Sequence, residues 1–156
     1  MPIYLVRHAK AGERRTWDGD DIDRPLSSAG WKQASALADR LAKKGPSVLL
    51  SSPYVRCVQT LEPLADIVGG EVTVEKRLCE DEPFEPVLDL LGEVPDRAVL
   101  CSHGDIIPAT VRALVRRGMD VVSEPDWRKA SVWVVKRSAR GRFSRAKAWP
   151  PPGTGS

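Results

Sequence analysis

The chain has 156 residues, 42% hydrophobic and 29% charged, the size and balance of one soluble globular domain with a buried core. Twenty-four basic and 21 acidic residues leave a net charge of +3, which suits an anionic substrate and does not demand nucleic acid. There is no apolar run of the roughly eighteen residues that a membrane span needs, MPIYLVRHAK is too quickly charged for a secretory signal, and Cys57, Cys79 and Cys101 are too widely spaced for a disulfide framework or a zinc site, so a reduced, cytoplasmic setting is expected.

In chain order, residues 3–6 form a short apolar run that predicts a first strand, broken at Arg7-His8. A charged loop rich in turn formers spans 9–25. A helix follows. Ser27 or Ser28 can cap it, Trp31, Ala34, Leu37, Ala38 and Leu41 recur at helical spacing, and Gly45-Pro46 stops it. Residues 48–50 predict a second strand that runs into Ser51-Ser52-Pro53, a helix start with Pro in the first turn. That helix carries Val58, Leu61, Leu64 and Ala65. Pro63 is expected to end or kink it, because it lacks the N–H of an interior turn, and Gly69-Gly70 closes the segment.

Residues 72–74 read as a third strand, 83–91 as a short helix, and 98–101 as a fourth strand leading into Ser102-His103-Gly104-Asp105. Residues 108–117 read as a helix ended by Gly118, 132–135 as a fifth strand, and 142–148 as a segment placed to pair with it. The Pro/Gly-rich stretch 150–156 is expected to be a disordered tail. Strands alternating with helices predict one domain over 1–149, an α/β three-layer sandwich with a largely parallel central sheet and helices on both faces.

The chain holds two histidines, His8 directly after the first strand and His103 directly after the fourth; Arg56 follows the second. In open α/β sheets ligands bind outside the carboxyl ends of the strands, so these groups are delivered to one edge. Two guanidinium groups in a small space repel unless an anion lies between them, and the arginine fork matches phosphate oxygens. Like charge pushes a histidine among arginines towards its neutral, nucleophilic form. The second histidine and the N–H groups at Gly104 and Asp105 can stabilise transferring charge. The cluster thus predicts phosphoryl transfer, the competing reading being satisfied structural histidines.

Leu5-Val6-Arg7-His8-Ala9, Ser51-Ser52-Pro53 with Arg56 and Gln59-Thr60, and Ser102-His103-Gly104 resemble, in order and spacing, the three motifs of the histidine phosphatase (phosphoglycerate mutase-like) superfamily, across residues 3–105. Alanine after the histidine, then Asp21, Arg24-Pro25-Leu26-Ser27 and Gly30, is similar to the short SixA-type phosphohistidine phosphatases. Arg56-Cys57 with Gln59-Thr60 and Pro63 is also similar to the phosphatase domain fused to some MutT-like Nudix hydrolases; no Nudix box is present, so the chain reads as that phosphatase half standing alone.

The resemblance implies His8 as the phosphate-accepting nucleophile, Arg7, Arg56 and His103 (with Gly104) as the phosphate pocket, and no cofactor. It also implies a carboxylic acid for the leaving group. Glu80 in Leu78-Cys79-Glu80 is the candidate, with Asp81 and Glu82 as competitors, and an N–P bond can dispense with an acid altogether. Only about twenty residues separate Lys76 from the strand before His103, where mutases and sugar phosphatases of the family carry a longer insertion. The short segment implies an open site for a bulky substrate such as a phosphoprotein.

Other classes fit less well. The arginine position of a C-x5-R cysteine phosphatase falls on Pro63, Glu85 or Ile107, and no P-loop is present. Asp18 and Asp20 resemble a D-x-D phosphatase motif but follow Arg15-Thr16-Trp17 rather than an apolar strand. They read as a solvated loop near the site entrance. Without a carboxylate cluster beside the pocket, metal-independent catalysis is expected. The serious rival is a phosphate-binding regulatory domain with slow turnover, docking through the basic stretch Lys136, Arg137, Arg140, Arg142, Arg145 and Lys147, with Trp127, Trp133 and Trp149 nearby. For that stretch a solvated edge, for the tryptophans core packing, and for Cys57 a small buried residue are the commoner roles. The expected partners are a phosphorylated protein or small phosphate substrate, with no nucleic acid and no membrane.

Overall fold

The computed structural model describes residues 1–153. Seven strands form one sheet in the order β3-β2-β4-β1-β6-β7-β5: β1 (Pro2–Arg7), β2 (Leu49–Ser51), β3 (Val72–Val74), β4 (Val99–Ser102), β5 (Asp120–Val121), β6 (Val132–Arg137) and β7 (Phe143–Trp149). β1, β2, β3 and β4 pair in parallel, as does β5 with β7; β6 runs antiparallel to both β1 and β7. This is the expected phosphoglycerate mutase-like architecture. β5 escapes sequence reading because two residues carry no alternation to read.

Side chains alternate across β1. Tyr4 and Val6 join one buried cluster with Leu37, Leu41, Leu61 and Leu64 of α1 (Ser28–Ala42) and α2 (Val55–Val68). Ile3 and Leu5 join the other with Leu90, Leu91, Val111 and Leu114 of α3 (Glu85–Glu93) and α4 (Ile106–Arg116). Each fully buried Leu or Val contributes about 1.5–3 kcal/mol, so both helical layers are clamped to the sheet. Ser27 caps α1, accepting from the Gly30 N–H at 3.1 Å. Trp31, one of the helically spaced apolar residues, is left 37% exposed; Gly30 is buried in its place.

Three expectations need correction. The second helix begins at Val55 rather than at Pro53, because Tyr54 keeps an extended backbone (φ −63°, ψ 133°). Pro63 does not end that helix, which runs on to Val68; burial of Leu61, Leu64 and Ala65 outweighs one missing hydrogen bond. Helix α4 also starts earlier than expected, at Ile106, placing Pro108 in the first turn, where its missing N–H costs nothing. Residues 150–153 follow β7 without regular structure, with Pro151 buried; the remainder of the expected disordered tail, 154–156, lies outside the described residues.

Candidate active site

The parallel register sets Arg7 level with Ser102, and Ser51 level with Cys101. Three strands therefore end together, and their continuations, His8, Ser52 and His103, meet at the carboxyl edge. Backbone bonds hold that edge: His8 N–H donates to Ser102 O at 3.1 Å and Ser52 N–H to Cys101 O at 3.0 Å. Arg7, His8, Arg56, Glu80 and Gly104 line a cleft of about 460 Å³. His103 lies behind them, its ring centroid 5.5 Å from that of His8. Asp81 also lines the cleft, whereas Glu82 is exposed and takes no part in the lining.

His8 is only 5% exposed. Its Nδ1 lies 2.8 Å from Ala9 O. A carbonyl can only accept, so Nδ1 carries the proton and Nε2 keeps the lone pair. Burial above all, then Arg56, Arg7 and Lys129, lowers the His8 pKa from 6.5 to about 3, against the bond to Ala9. The ring is neutral at physiological pH, the state in which an imidazole has a lone pair to attack with.

His103 is 1% exposed. Its Nε2 is 2.8 Å from Ser52 Oγ, and Ser52 Oγ also accepts the Tyr54 N–H at 3.3 Å. In the tautomer in which Ser52 donates its hydroxyl proton to Nε2, Nδ1 is the N–H side of the ring. Burial, then His8 and Arg56, lowers its pKa to about 3, so this ring too is neutral, a donor rather than a cation.

The arginines are held by acceptors that leave part of each fork unused. Arg7 Nη1 donates to Trp127 O at 2.6 Å. Arg56, 1% exposed, donates through Nη1 to Asp21 O at 2.9 Å and through Nη2 to Asp21 Oδ2 at 3.1 Å and Glu80 Oε1 at 2.8 Å. Arg7 Nε, Arg56 Nε and His103 Nδ1 are buried and without hydrogen-bond partners. A buried donor left unmade costs about 1–3 kcal/mol, and these three belong to residues grouped about one cleft. Groups of this kind are what an oxyanion bound in the cleft needs. Gly104 makes the close approach possible, since a Cβ there would lie 2.6 Å from Arg7 Cζ.

Glu80 Oε2 lies 3.6 Å from His103 Nδ1. Burial, aided by Asp21 and Asp81, raises the Glu80 pKa against the pull of Arg56, the direction a proton donor needs. Asp21 goes the other way. Burial opposes its charge, but the Arg24 hydrogen bond (2.9 Å) and Arg56 hold it at about 2. Among the described residues no group of three or more His, Cys, Asp or Glu is arranged to hold a metal ion.

Several supporting residues carried motif signals in the sequence but no assigned role. Asp21 anchors Arg56. Thr60 Oγ1 accepts the Ala9 N–H at 2.9 Å and donates to Arg56 O at 2.7 Å. Gln59 Oε1 accepts the Leu26 N–H at 2.8 Å. Lys129 and the Trp127 carbonyl left no signal at all: they arrive on the connection into β6, far along the chain from His8.

Neutral imidazole, paired guanidinium groups and unused donors at the carboxyl edge of an α/β sheet are the chemistry that binding of a phosphoryl group calls for. Residues 3–82 match the family described as Histidine phosphatase superfamily (branch 1); the chain belongs to that superfamily. It is 33% identical over 157 residues to the 8-oxo-(d)GTP phosphatase of Mycolicibacterium smegmatis, an alignment covering 96% of this chain and 48% of that protein, so the chain spans about half the length of that relative. Its fold is similar to SixA from Agrobacterium tumefaciens (TM-score 0.75, 23% identity, 96% of this chain and 97% of that one). It is also similar to the protein histidine phosphatase SixA complexed with tungstate (TM-score 0.74, 21% identity, 94% and 96%).

Proposed function

We propose that this protein is a phosphatase that works through a phosphohistidine on His8, without a metal, on phosphohistidine in proteins or another phosphorylated substrate, in the cytoplasm. The observation that carries the reading is the set of three buried, unpartnered donors around a histidine whose Nε2 lone pair is free. In this reading the phosphoryl oxygens accept from Arg7 Nε, Arg56 Nε and His103 Nδ1. His8 Nε2 attacks phosphorus, the leaving group departs, and water cleaves the N–P bond to regenerate His8. Glu80 protonates an oxygen leaving group and then receives the proton of the attacking water. An N–P substrate relies on Glu80 less.

A second reading, a nucleoside phosphate substrate, is favoured by the 33% identity over nearly the whole chain to a protein named 8-oxo-(d)GTP phosphatase. Both readings share the chemistry at His8. The test is hydrolysis of p-nitrophenyl phosphate in EDTA by wild type and His8→Ala, followed by a phosphohistidine peptide. Turnover by the wild type with a loss of at least about 10³-fold in the variant is expected. Equal turnover by both proteins would remove His8 from the mechanism, and abolition of wild-type activity by EDTA would remove metal independence.

A further inference from the structure

We propose that Lys10 and Lys129 form a second anion subsite at the mouth of the His8 cleft, one that selects substrates carrying a second phosphoryl group attached to the one transferred. The inference rests on the phosphatase reading above. Both lysines line the same cleft as Arg7, His8 and Arg56. The volume, about 460 Å³, lies within the range of small-molecule pockets and exceeds what one phosphoryl group fills.

The cleft's charges are not evenly engaged. Asp21 is taken by Arg24 and Arg56, and Glu80 by Arg56 and, at 3.9 Å, Arg14. Asp105 Oδ2 accepts the Asp81 N–H at 2.9 Å. Neither lysine ammonium has an ion pair or hydrogen bond among the described residues, and Lys129 is surrounded by Arg7, Arg24, Arg56 and Lys10. Once a phosphoryl group has engaged Arg7 and Arg56, the two lysine ammonium groups are still without an ion pair among the described residues, in a cleft that also carries Asp81 and Asp105.

The backbone beneath each lysine is pinned, which distinguishes them from ordinary surface lysines. Ala130 N–H donates to Arg7 O at 3.1 Å and His8 O at 3.2 Å, and Ser131 N–H closes a turn onto Arg128 O at 3.0 Å. Ala130 holds φ +67° to do so, a left-handed conformation that strains a non-glycine residue. The strained turn seats Lys129 against the two residues that start the chemistry. Lys10 N–H donates to Gln33 Oε1 at 2.9 Å, and its carbonyl accepts from Ser27 N at 3.0 Å and Ser27 Oγ at 3.1 Å. Gly30 permits that seat, because a Cβ there would lie 1.8 Å from Lys10 O. Anchored backbone with a flexible charged stem suits a group whose exact position varies.

With a diphosphate, the His8 Nε2 lone pair forms the N–P bond to the terminal phosphorus as the bond from that phosphorus to the bridging oxygen breaks. The bridging oxygen leaves on the inner phosphate held by the lysines, with the proton from Glu80. Water then cleaves the N–P bond, releasing inorganic phosphate and restoring His8.

The experiment compares wild type with the double variant Lys10→Gln/Lys129→Gln. Two substrates are used, inorganic pyrophosphate and p-nitrophenyl phosphate, and two non-hydrolysable ligands are titrated calorimetrically, methylenebisphosphonate and methylphosphonate. In the double variant, kcat/KM on pyrophosphate is expected to fall at least tenfold further than on p-nitrophenyl phosphate, and wild type should bind the bisphosphonate at least tenfold more tightly than methylphosphonate. Equal falls on both substrates, or no tighter binding of the bisphosphonate, would overturn the subsite. Loss of p-nitrophenyl phosphate hydrolysis by wild type would instead count against the phosphatase reading, and the calorimetric comparison would still decide the subsite.

Discussion

The protein carries two concentrations of positive charge, and they behave oppositely. On the β6–β7 hairpin, Lys136, Arg145 and Lys147 are all exposed, and Lys136 stands directly across from Arg145. Water solvates them, so like charges facing each other cost only a few tenths of a kcal/mol. Arg7 and Arg56 are fewer and farther apart in sequence, each with a buried Nε that meets no acceptor. Charge density along the chain points to the hairpin, while desolvated, unfinished hydrogen bonding points to the cleft. Only the second kind of cation has a hydrogen bond left to make with an arriving anion.

The sharpest way to break this contrast is Arg56→Lys. It keeps the charge but removes the fork that joins Asp21 and Glu80 and, in the proposed mechanism, the phosphoryl oxygens. The kcat/KM for p-nitrophenyl phosphate is expected to fall about 10²- to 10³-fold. If charge alone mattered the loss would be severalfold at most. Circular dichroism and the melting temperature check that the variant is folded.

A second effect follows from the buried histidines. Their folded pKa values are lowered to about 3 from an unfolded value of 6.5, so between these limits the unfolded chain binds protons that the native site does not. Stability therefore falls as pH drops from 6.5 towards 3, by up to about 1.4 kcal/mol per pH unit for each histidine. Asp21, held at about 2, adds stability that is present above its unfolded pKa of about 4 and lost below it. The melting temperature in phosphate-free buffer is expected to decline from pH 7 to pH 4, with a shallower decline in His8→Ala. An unchanged slope in that variant would mean that His8 is not buried in its neutral form.

The smallest effect belongs to the hairpin. The triple variant Lys136→Gln/Arg145→Gln/Lys147→Gln is expected to keep kcat/KM within about twofold and stability within about 0.5 kcal/mol. A tenfold loss of activity would show that the hairpin's field reaches the substrate and would erase the distinction between the two regions.

Much of the architecture was legible in local pattern. The apolar runs before His8, Ser51 and His103, the helical spacing of Ala34, Leu37, Ala38 and Leu41, and the Ser27 cap each express chemistry confined to a few neighbouring residues. Pro63 misled because its local cost is real, but the packing of Leu61 and Leu64 against the sheet is larger and is not local. Trp31 misled in a similar way: its spacing is helical, but the neighbouring turn has Gly30 pressed against the Lys10 carbonyl, and the indole is left at the surface.

The sequence by itself determined that an α/β sheet would bring Arg7, His8, Arg56 and His103 to one edge, because strand ends and parallel topology follow from periodicity and connection length. Only the tertiary structure decided how each group is finished. Asp21 ties off Arg56, the Trp127 carbonyl ties off Arg7, Ser52 orients His103, and Glu80 lies where burial raises its pKa. These partners are set by distances between segments far apart in the chain, and hydrogen bonding and desolvation depend on those distances rather than on any spacing along the sequence.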